Sequence, residues 1–94
     1  MDLRPIGDWL IVETEYRREK VGNIYLSDKG YGKPIKGNVM RVGTGRRNRD
    51  GVLIPSALKE GDVVTFGLVA GIEFKEGDKY YRLIKEDEIE GVDV

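Results

Sequence analysis

The sequence contains no cysteine and no histidine among its 94 residues. Without cysteine there is no disulfide framework, no thiolate metal site and no thiol nucleophile. Without histidine the commonest metal ligand and the commonest general base are missing as well. Charge of one sign is also lacking. The 16 basic and 17 acidic residues leave a formal net charge of -1, so no global field marks a nucleic-acid binder. Long apolar runs are absent: residues 9–12 are far too few to cross a bilayer. The opening Met1-Asp2-Leu3-Arg4-Pro5 has no apolar stretch of the signal-peptide kind. A small, cytoplasmic, non-catalytic domain is the expectation.

A chain of 94 residues with 39% hydrophobic content builds only a thin core. Domains near this size lean on disulfides, metals or oligomerisation. The first two have little to build on here, which leaves self-association as the expected source of added stability.

What the chain does have is glycine. Its 13 glycines are about twice the average share of roughly 7%, and they punctuate short β-type runs. Residues 9–14 are apolar and β-branched before turning polar. Residues 38–42 lie between Gly37 and Gly43, and residues 62–66 between Gly61 and Gly67. Residues 72–75 alternate apolar and charged, and residues 79–84 follow after Glu76-Gly77-Asp78, a hairpin signal. Short strands at this spacing predict an all-β fold, a small barrel or sandwich. Residues 56–60 and 85–89 could each form one helical turn, neither able to stand without the body of the domain.

Residues 16–34, YRREKVGNIYLSDKGYGKP, break that rhythm with charges, three glycines and a proline. In their middle stands the apolar triplet Ile24-Tyr25-Leu26. It reads either as a further strand with Ile24 and Leu26 toward the core, or as an exposed loop offering an apolar patch to a partner. Composition does not choose between them. Catalytic patterns are missing. Glu86, Asp87, Glu88 and Glu90 lack the glycine-centred spacing of a calcium loop and read as a solvated acidic turn. Gly43-Thr44-Gly45 starts a dinucleotide fingerprint that nothing completes. Arg46, Arg47 and Arg49, leading into Asp50-Gly51, form the densest basic cluster. They suit either a nucleic-acid contact on a barrel loop or a solvated hairpin tip turned by Asp50-Gly51.

The order of the motifs carries a resemblance. Leu3-Arg4-Pro5-Ile6-Gly7-Asp8 followed by Leu10-Ile11-Val12 resembles the start of the GroES-type co-chaperonins, the lid proteins of group I chaperonins. Gly22-Asn23-Ile24-Tyr25-Leu26 is similar to that family's mobile-loop segment, and residues 37–46, GNVMRVGTGR, to its Gly-x-Val-x-x-Val-Gly-x-Gly-Arg run. Residues 59–66, then Ala70-Gly71-Ile72-Glu73, Tyr81-Arg82-Leu83-Ile84 and Glu86-Asp87-Glu88-Ile89, follow in the family's order over essentially the whole chain. Trp9, Asn23, Tyr25 and Ser27 depart from the usual residues, and the arginine-rich tip is more basic than is common in relatives.

The resemblance implies a small GroES-like β-barrel, one domain spanning residues 1–94, with a mobile loop near 17–33 and a roof hairpin near 45–54. It implies a heptameric homo-oligomeric ring that caps a GroEL-type chaperonin and encloses non-native polypeptide. ATP is then bound by the chaperonin, and this chain needs no cofactor, metal, membrane or nucleic acid. Ile24, Tyr25 and Leu26 would bind the chaperonin, with Gly22, Gly30 and Gly32 keeping the loop flexible. Arg46, Arg47, Arg49, Asp50 and Gly51 would form the roof hairpin. Leu3 and Ile6 at the start, with Ile89 and Val92 at the end, would supply the subunit interface by pairing terminal strands of neighbouring copies. A barrel module binding nucleic acid through Arg46, Arg47 and Arg49 is the alternative reading.

Overall fold

A computed structural model describes residues 3–15, 34–67 and 69–93. In chain order the elements are β1 (Trp9–Glu13), β2 (Ile35–Val42), β3 (Arg46–Arg47), β4 (Leu53–Ile54), β5 (Val63–Phe66), β6 (Ile72–Glu76) and β7 (Lys79–Lys85). A single 3₁₀ turn, Glu86–Glu88, then leads into β8 (Ile89–Val92). Six strands form one antiparallel sheet in the order β6-β7-β1-β2-β5-β8, and β3 pairs with β4 as a separate hairpin. The fold is all-β, as the spacing of the short apolar runs predicts.

One face of this sheet is the core. Leu10 and Val12 of β1, Val39 of β2, Val64 and Phe66 of β5 and Ile84 of β7 are at most 1% exposed and pack as one cluster with Ile35 and Leu58. No long helix lies over them among the described residues. A flat sheet would leave such a face bare, so the sheet curls around its own side chains in the manner of a small barrel. Its margins are β6 and β8.

Two irregularities keep the apolar side chains on the inner face. Along β2, Ile35, Gly37 and Val39 point inward, and strict alternation would send Val42 outward. The register with β1 shifts instead: Ile11 pairs with Arg41 but Val12 pairs with Val39, leaving Met40 as an extra residue. Met40 and Arg41 are both exposed, and Val42 returns to pack against the core. In β8 the same device skips Glu90, so that Ile89 lies opposite Phe66.

Strand β2 begins at Ile35, three residues earlier than the glycine punctuation suggests, and Gly37 lies within it. Its role is close approach: a Cβ there would strike Val12 Cγ1 and would stand 2.7 Å from the Glu13 carbonyl oxygen. Residues 56–60 form no helical turn. Lys59 and Asp62 close a β-turn instead, with a backbone bond of 3.1 Å and the Asp62 carboxylate accepting from Lys59 N at 3.0 Å. Two-residue pairing from Glu76 to Lys79, with Gly77 at φ 64°, closes the β6–β7 hairpin.

Arg82 of β7 is fully buried at the core. Its guanidinium lies 5.4 Å from the Phe66 ring centroid and donates to the carbonyls of Ala70 at 3.1 Å and Gly67 at 3.4 Å. A buried cation is tolerable where carbonyl dipoles and an aromatic face replace water. Here it also ties the turn after β5 to the sheet.

Candidate functional site

Three surfaces answer to the sequence motifs. The first is the root of the segment between β1 and β2. Ile24, Tyr25 and Leu26, with Gly22, Gly30 and Gly32, lie outside the described residues. Their points of departure and return are described. Because β1 and β2 are antiparallel neighbours, with Glu13 opposite Asn38, the segment leaves and re-enters the body at one end of one ladder. Thr14 clamps that end. Its Oγ1 donates to the Lys36 carbonyl at 2.9 Å and its backbone N–H to the Tyr80 carbonyl at 3.1 Å. Thr14 is buried, so both bonds are shielded from water. Outside it, the Lys36 ammonium holds both carboxylate oxygens of Asp93, at 2.9 and 3.2 Å, and Lys79 lies 3.4 Å from Glu13.

The second surface is the hairpin. Arg46 pairs with Ile54 and Arg47 with Leu53, at the opposite end of the β1–β2 ladder from the segment root. The turn differs from the Asp50-Gly51 pair expected. It is a three-residue loop, Arg49-Asp50-Gly51, with Asn48 N donating to Val52 O at 3.0 Å and Gly51 N to Asn48 O at 3.0 Å. Gly51 sits at φ 81°, the left-handed position that ends such a loop. The Asn48 side-chain oxygen accepts from Asp50 N at 2.9 Å and Val52 N at 3.0 Å, which fixes the loop internally.

The three arginines do not share a face. Successive residues of a strand project oppositely, so Arg46 and Arg47 diverge. Arg46 lines a cleft with Asp8, Glu86 and Asp87. Arg47 turns back to donate to the Gly51 carbonyl at 2.7 Å. Only Arg49 stands in the loop itself. A phosphate backbone would meet no continuous basic track here.

The third surface is the pair of chain ends. Strand β8 is a margin of the sheet, bonded to β5 alone among the described residues. Val92 lies opposite buried Val64 and is nonetheless 40% exposed. Ile89 is half-buried against the core. At the other end, residues 3–6 belong to no strand. Leu3 is 43% and Ile6 79% exposed, while Pro5 between them is buried. Two of the acidic residues beside β8 accept from backbone: Glu86 from Ala57 N, far off in sequence, and Glu88 from Lys85 N, each at 3.5 Å. No group of three or more metal-ligating side chains converges among the described residues, and no described helix is long and apolar enough to cross a membrane.

Arg82 and Asn48 are the structural residues that motif reading passes over. The only signal for Arg82 is its parity with Ile84 along β7, since even positions there face inward.

The arrangement is a small sheet with a long insertion at one end, a hairpin at the other, exposed Val92 on its β8 margin, and exposed Leu3 and Ile6 beside Trp9 and Leu83 of the inner strands. The model of the chaperonin 10 Kd subunit family matches residues 2–92. The chain belongs to this family. Among its relatives, the co-chaperonin GroES of Desulfosudis oleivorans is 41% identical over 93 residues, covering 98% of each chain. The co-chaperonin GroES of Geotalea daltonii is 40% identical over 98% of this chain and 97% of its own. That of Lawsonia intracellularis is 39% identical over 95% of this chain and 89% of its own. Likeness over nearly the full length, in a family of co-chaperonins, assigns the chain co-chaperonin function. None of these relatives lends support to the nucleic-acid alternative.

Proposed function

We propose that this co-chaperonin caps a group I chaperonin in its ATP-bound state by inserting Ile24, Tyr25 and Leu26 into an apolar groove of the partner. It works in the cytoplasm as a heptameric ring and is not an enzyme. ATP is bound and hydrolysed by the chaperonin, and non-native polypeptide is enclosed beneath the ring without being chemically changed. Arg46, Arg47, Arg49, Asp50 and Gly51 form the roof, and the terminal segments carrying Leu3, Ile6, Ile89 and Val92 form the seams between subunits.

The observation that carries this reading is the full-length family match, together with a triplet whose segment roots at one clamped corner of the sheet. Burying an Ile, Leu or Tyr side chain in a groove yields roughly 1.5–3 kcal/mol each. Ordering a flexible segment on binding takes back about 2–5 kcal/mol. The surplus from one loop is a few kcal/mol, which is weak binding. Several loops on one ring engage together, because each bound loop raises the effective concentration of the rest. Capping is then tight yet easily released by a small change in the partner, such as its nucleotide state. Gly22, Gly30 and Gly32 serve that cycle by leaving the loop free to reshape.

Replacing Ile24 or Leu26 with Ser tests the assignment. Each variant should lose ATP-dependent association with the chaperonin while retaining the oligomeric state of the parent. Normal capping by both variants would refute the role given to this triplet.

A further inference from the structure

The tip of the β3–β4 hairpin carries a chemically labile step. Asp50-Gly51 is the only Asp-Gly pair in the sequence, and there is no Asn-Gly pair. An aspartyl carboxyl carbon and the backbone nitrogen of the next residue can close a five-membered ring, an intramolecular attack favoured by proximity. Glycine lacks the Cβ that would crowd the attacked nitrogen. Here residues 46–53 are all exposed, and a Cβ at Gly51 would meet nothing within 4 Å, so the space is open. The Asp50 carboxylate is held by no hydrogen bond or ion pair among the described residues.

The fold adds a restraint, and one residue supplies it. Gly51 N donates to the Asn48 carbonyl at 3.0 Å, while Asp50 N donates to Asn48 Oδ1 at 2.9 Å and Val52 N to the same oxygen at 3.0 Å. Both peptide planes flanking Asp50 are thereby tied to Asn48. Ring closure has to rotate the Asp50–Gly51 plane until its nitrogen faces the carboxyl carbon, which breaks the bond from Gly51 N. Losing the anchor of Asp50 N as well frees the residue on both sides.

We infer that Asp50-Gly51 is a site of spontaneous backbone isomerisation and that Asn48 controls its rate as a positioning residue. Gly51 N bonds to Cγ of the protonated Asp50 carboxyl; the amide proton and the carboxyl hydroxyl leave together as water, giving a succinimide. Water then adds back. Cleavage of the Cγ–N bond restores aspartate, and cleavage of the original peptide bond gives isoaspartate, whose main chain runs through Cβ. Nothing is oxidised or reduced, and the product keeps its mass with one more atom in the backbone. In a hairpin of two residue pairs that atom displaces Gly51 from Asn48 and from Arg47, whose guanidinium donates to the Gly51 carbonyl at 2.7 Å.

The test follows the whole folded chain at physiological temperature and mildly acidic pH. Cleavage after Lys36 and Lys59 releases residues 37–59 with Asp50 inside. Isoaspartate appears there as an isomer of equal mass and altered retention, located at position 50 by electron-transfer fragmentation, and the succinimide as a species one water lighter. The chain unfolded in urea, in the same buffer, gives the unrestrained rate. The folded parent should react at least about fivefold more slowly, since one backbone hydrogen bond of about 1 kcal/mol has to break. Asn48→Ala should raise the folded rate about fivefold or more, with the melting of the sheet little changed because the hairpin lies outside it. Asn48→Asp keeps an acceptor oxygen and should stay near the parent, and Asp50→Glu should give no product at that position. If the unfolded chain forms no isoaspartate at position 50, the site is refuted. If the folded parent reacts as fast as the unfolded chain, or Asn48→Ala reacts at the parental rate, the control assigned to Asn48 is overturned.

Discussion

Gly37→Ala is a sharp test of the packing, because one methyl group meets three walls at once. The added Cβ would overlap Val12 Cγ1, stand 2.7 Å from the Glu13 carbonyl oxygen and approach Phe66 Cε1 to 3.2 Å. None of these yields easily. The Glu13 carbonyl belongs to β1, which is paired on both sides. Val12 is fully buried and β-branched, with few rotamers to retreat into. Phe66 is fully buried under the Arg82 guanidinium. Overpacking of this kind costs about 1–3 kcal/mol, and backbone as one of the walls places this case at the upper end. For a domain of this size about 1 kcal/mol moves the melting temperature by roughly 4–8 °C, so Tm should fall by about 10–20 °C. Gly67→Ala, just past β5 and away from the proposed seams, is the control. Its Cβ would meet nothing nearer than the Glu90 carboxylate at 3.7 Å, an ordinary contact, and it should leave Tm unchanged within a few degrees. Thermal melts followed by circular dichroism, at equal protein concentration, decide it. A Gly37→Ala variant as stable as Gly67→Ala would refute the close approach of β1 and β2.

Two further substitutions test other parts of the scaffold. Arg82→Ala removes a fully buried side chain and strips the Gly67 and Ala70 carbonyls of a donor. The cavity and the lost bonds should together cost about 3 kcal/mol or more in urea unfolding, and a cost under about 1 kcal/mol would contradict its core position. Lys36→Met and Asp93→Asn each break an ion pair whose side chains are 60% and 49% exposed. The pair should contribute no more than about 1 kcal/mol in a double-mutant cycle, and that coupling should shrink in high salt. A coupling that survives high salt undiminished would show that the pair is shielded in the assembly.

The legible parts of the fold were those governed by local chemistry. Residues 72–75 and 79–84 declare a hairpin because their alternation and the intervening Gly77 are short-range signals, and β6 and β7 follow them closely. Gly37 misleads for the opposite reason. Glycine reads locally as a strand terminator, whereas its reason for being in β2 is Val12, brought against it only by the β1–β2 pairing. The bulge at Met40 is similarly hidden, since no residue type there demands it. It follows from the need to return Val42 to the core. Arg82 looks like any surface cation, and its burial depends on the carbonyls of a turn that folds over it. In the hairpin the Asp50-Gly51 pair marks a turn, while Asn48 selects the longer loop through its side chain.

The site divides along the same line. The family motifs are colinear along the chain, so the overall assignment could be read before any coordinates. The divergence of Arg46 and Arg47 could not, because a two-residue strand is too short to betray its faces in composition. The pocket that Leu3, Pro5 and Ile6 form with Trp9 and Leu83 also stayed hidden. It is assembled from the N-terminal segment and β7, residues more than seventy positions apart in sequence that meet only on the folded sheet.

The central claim is that residues 17–33 engage a chaperonin in an ATP-dependent manner. Limited proteolysis of the whole chain, with and without a group I chaperonin, measures it directly. The account predicts cleavage at the basic residues between Arg17 and Lys33 in the free protein, and protection of those sites when chaperonin and ATP are both present. Unchanged cleavage in the presence of chaperonin and ATP, with the partner shown to be active, would contradict it.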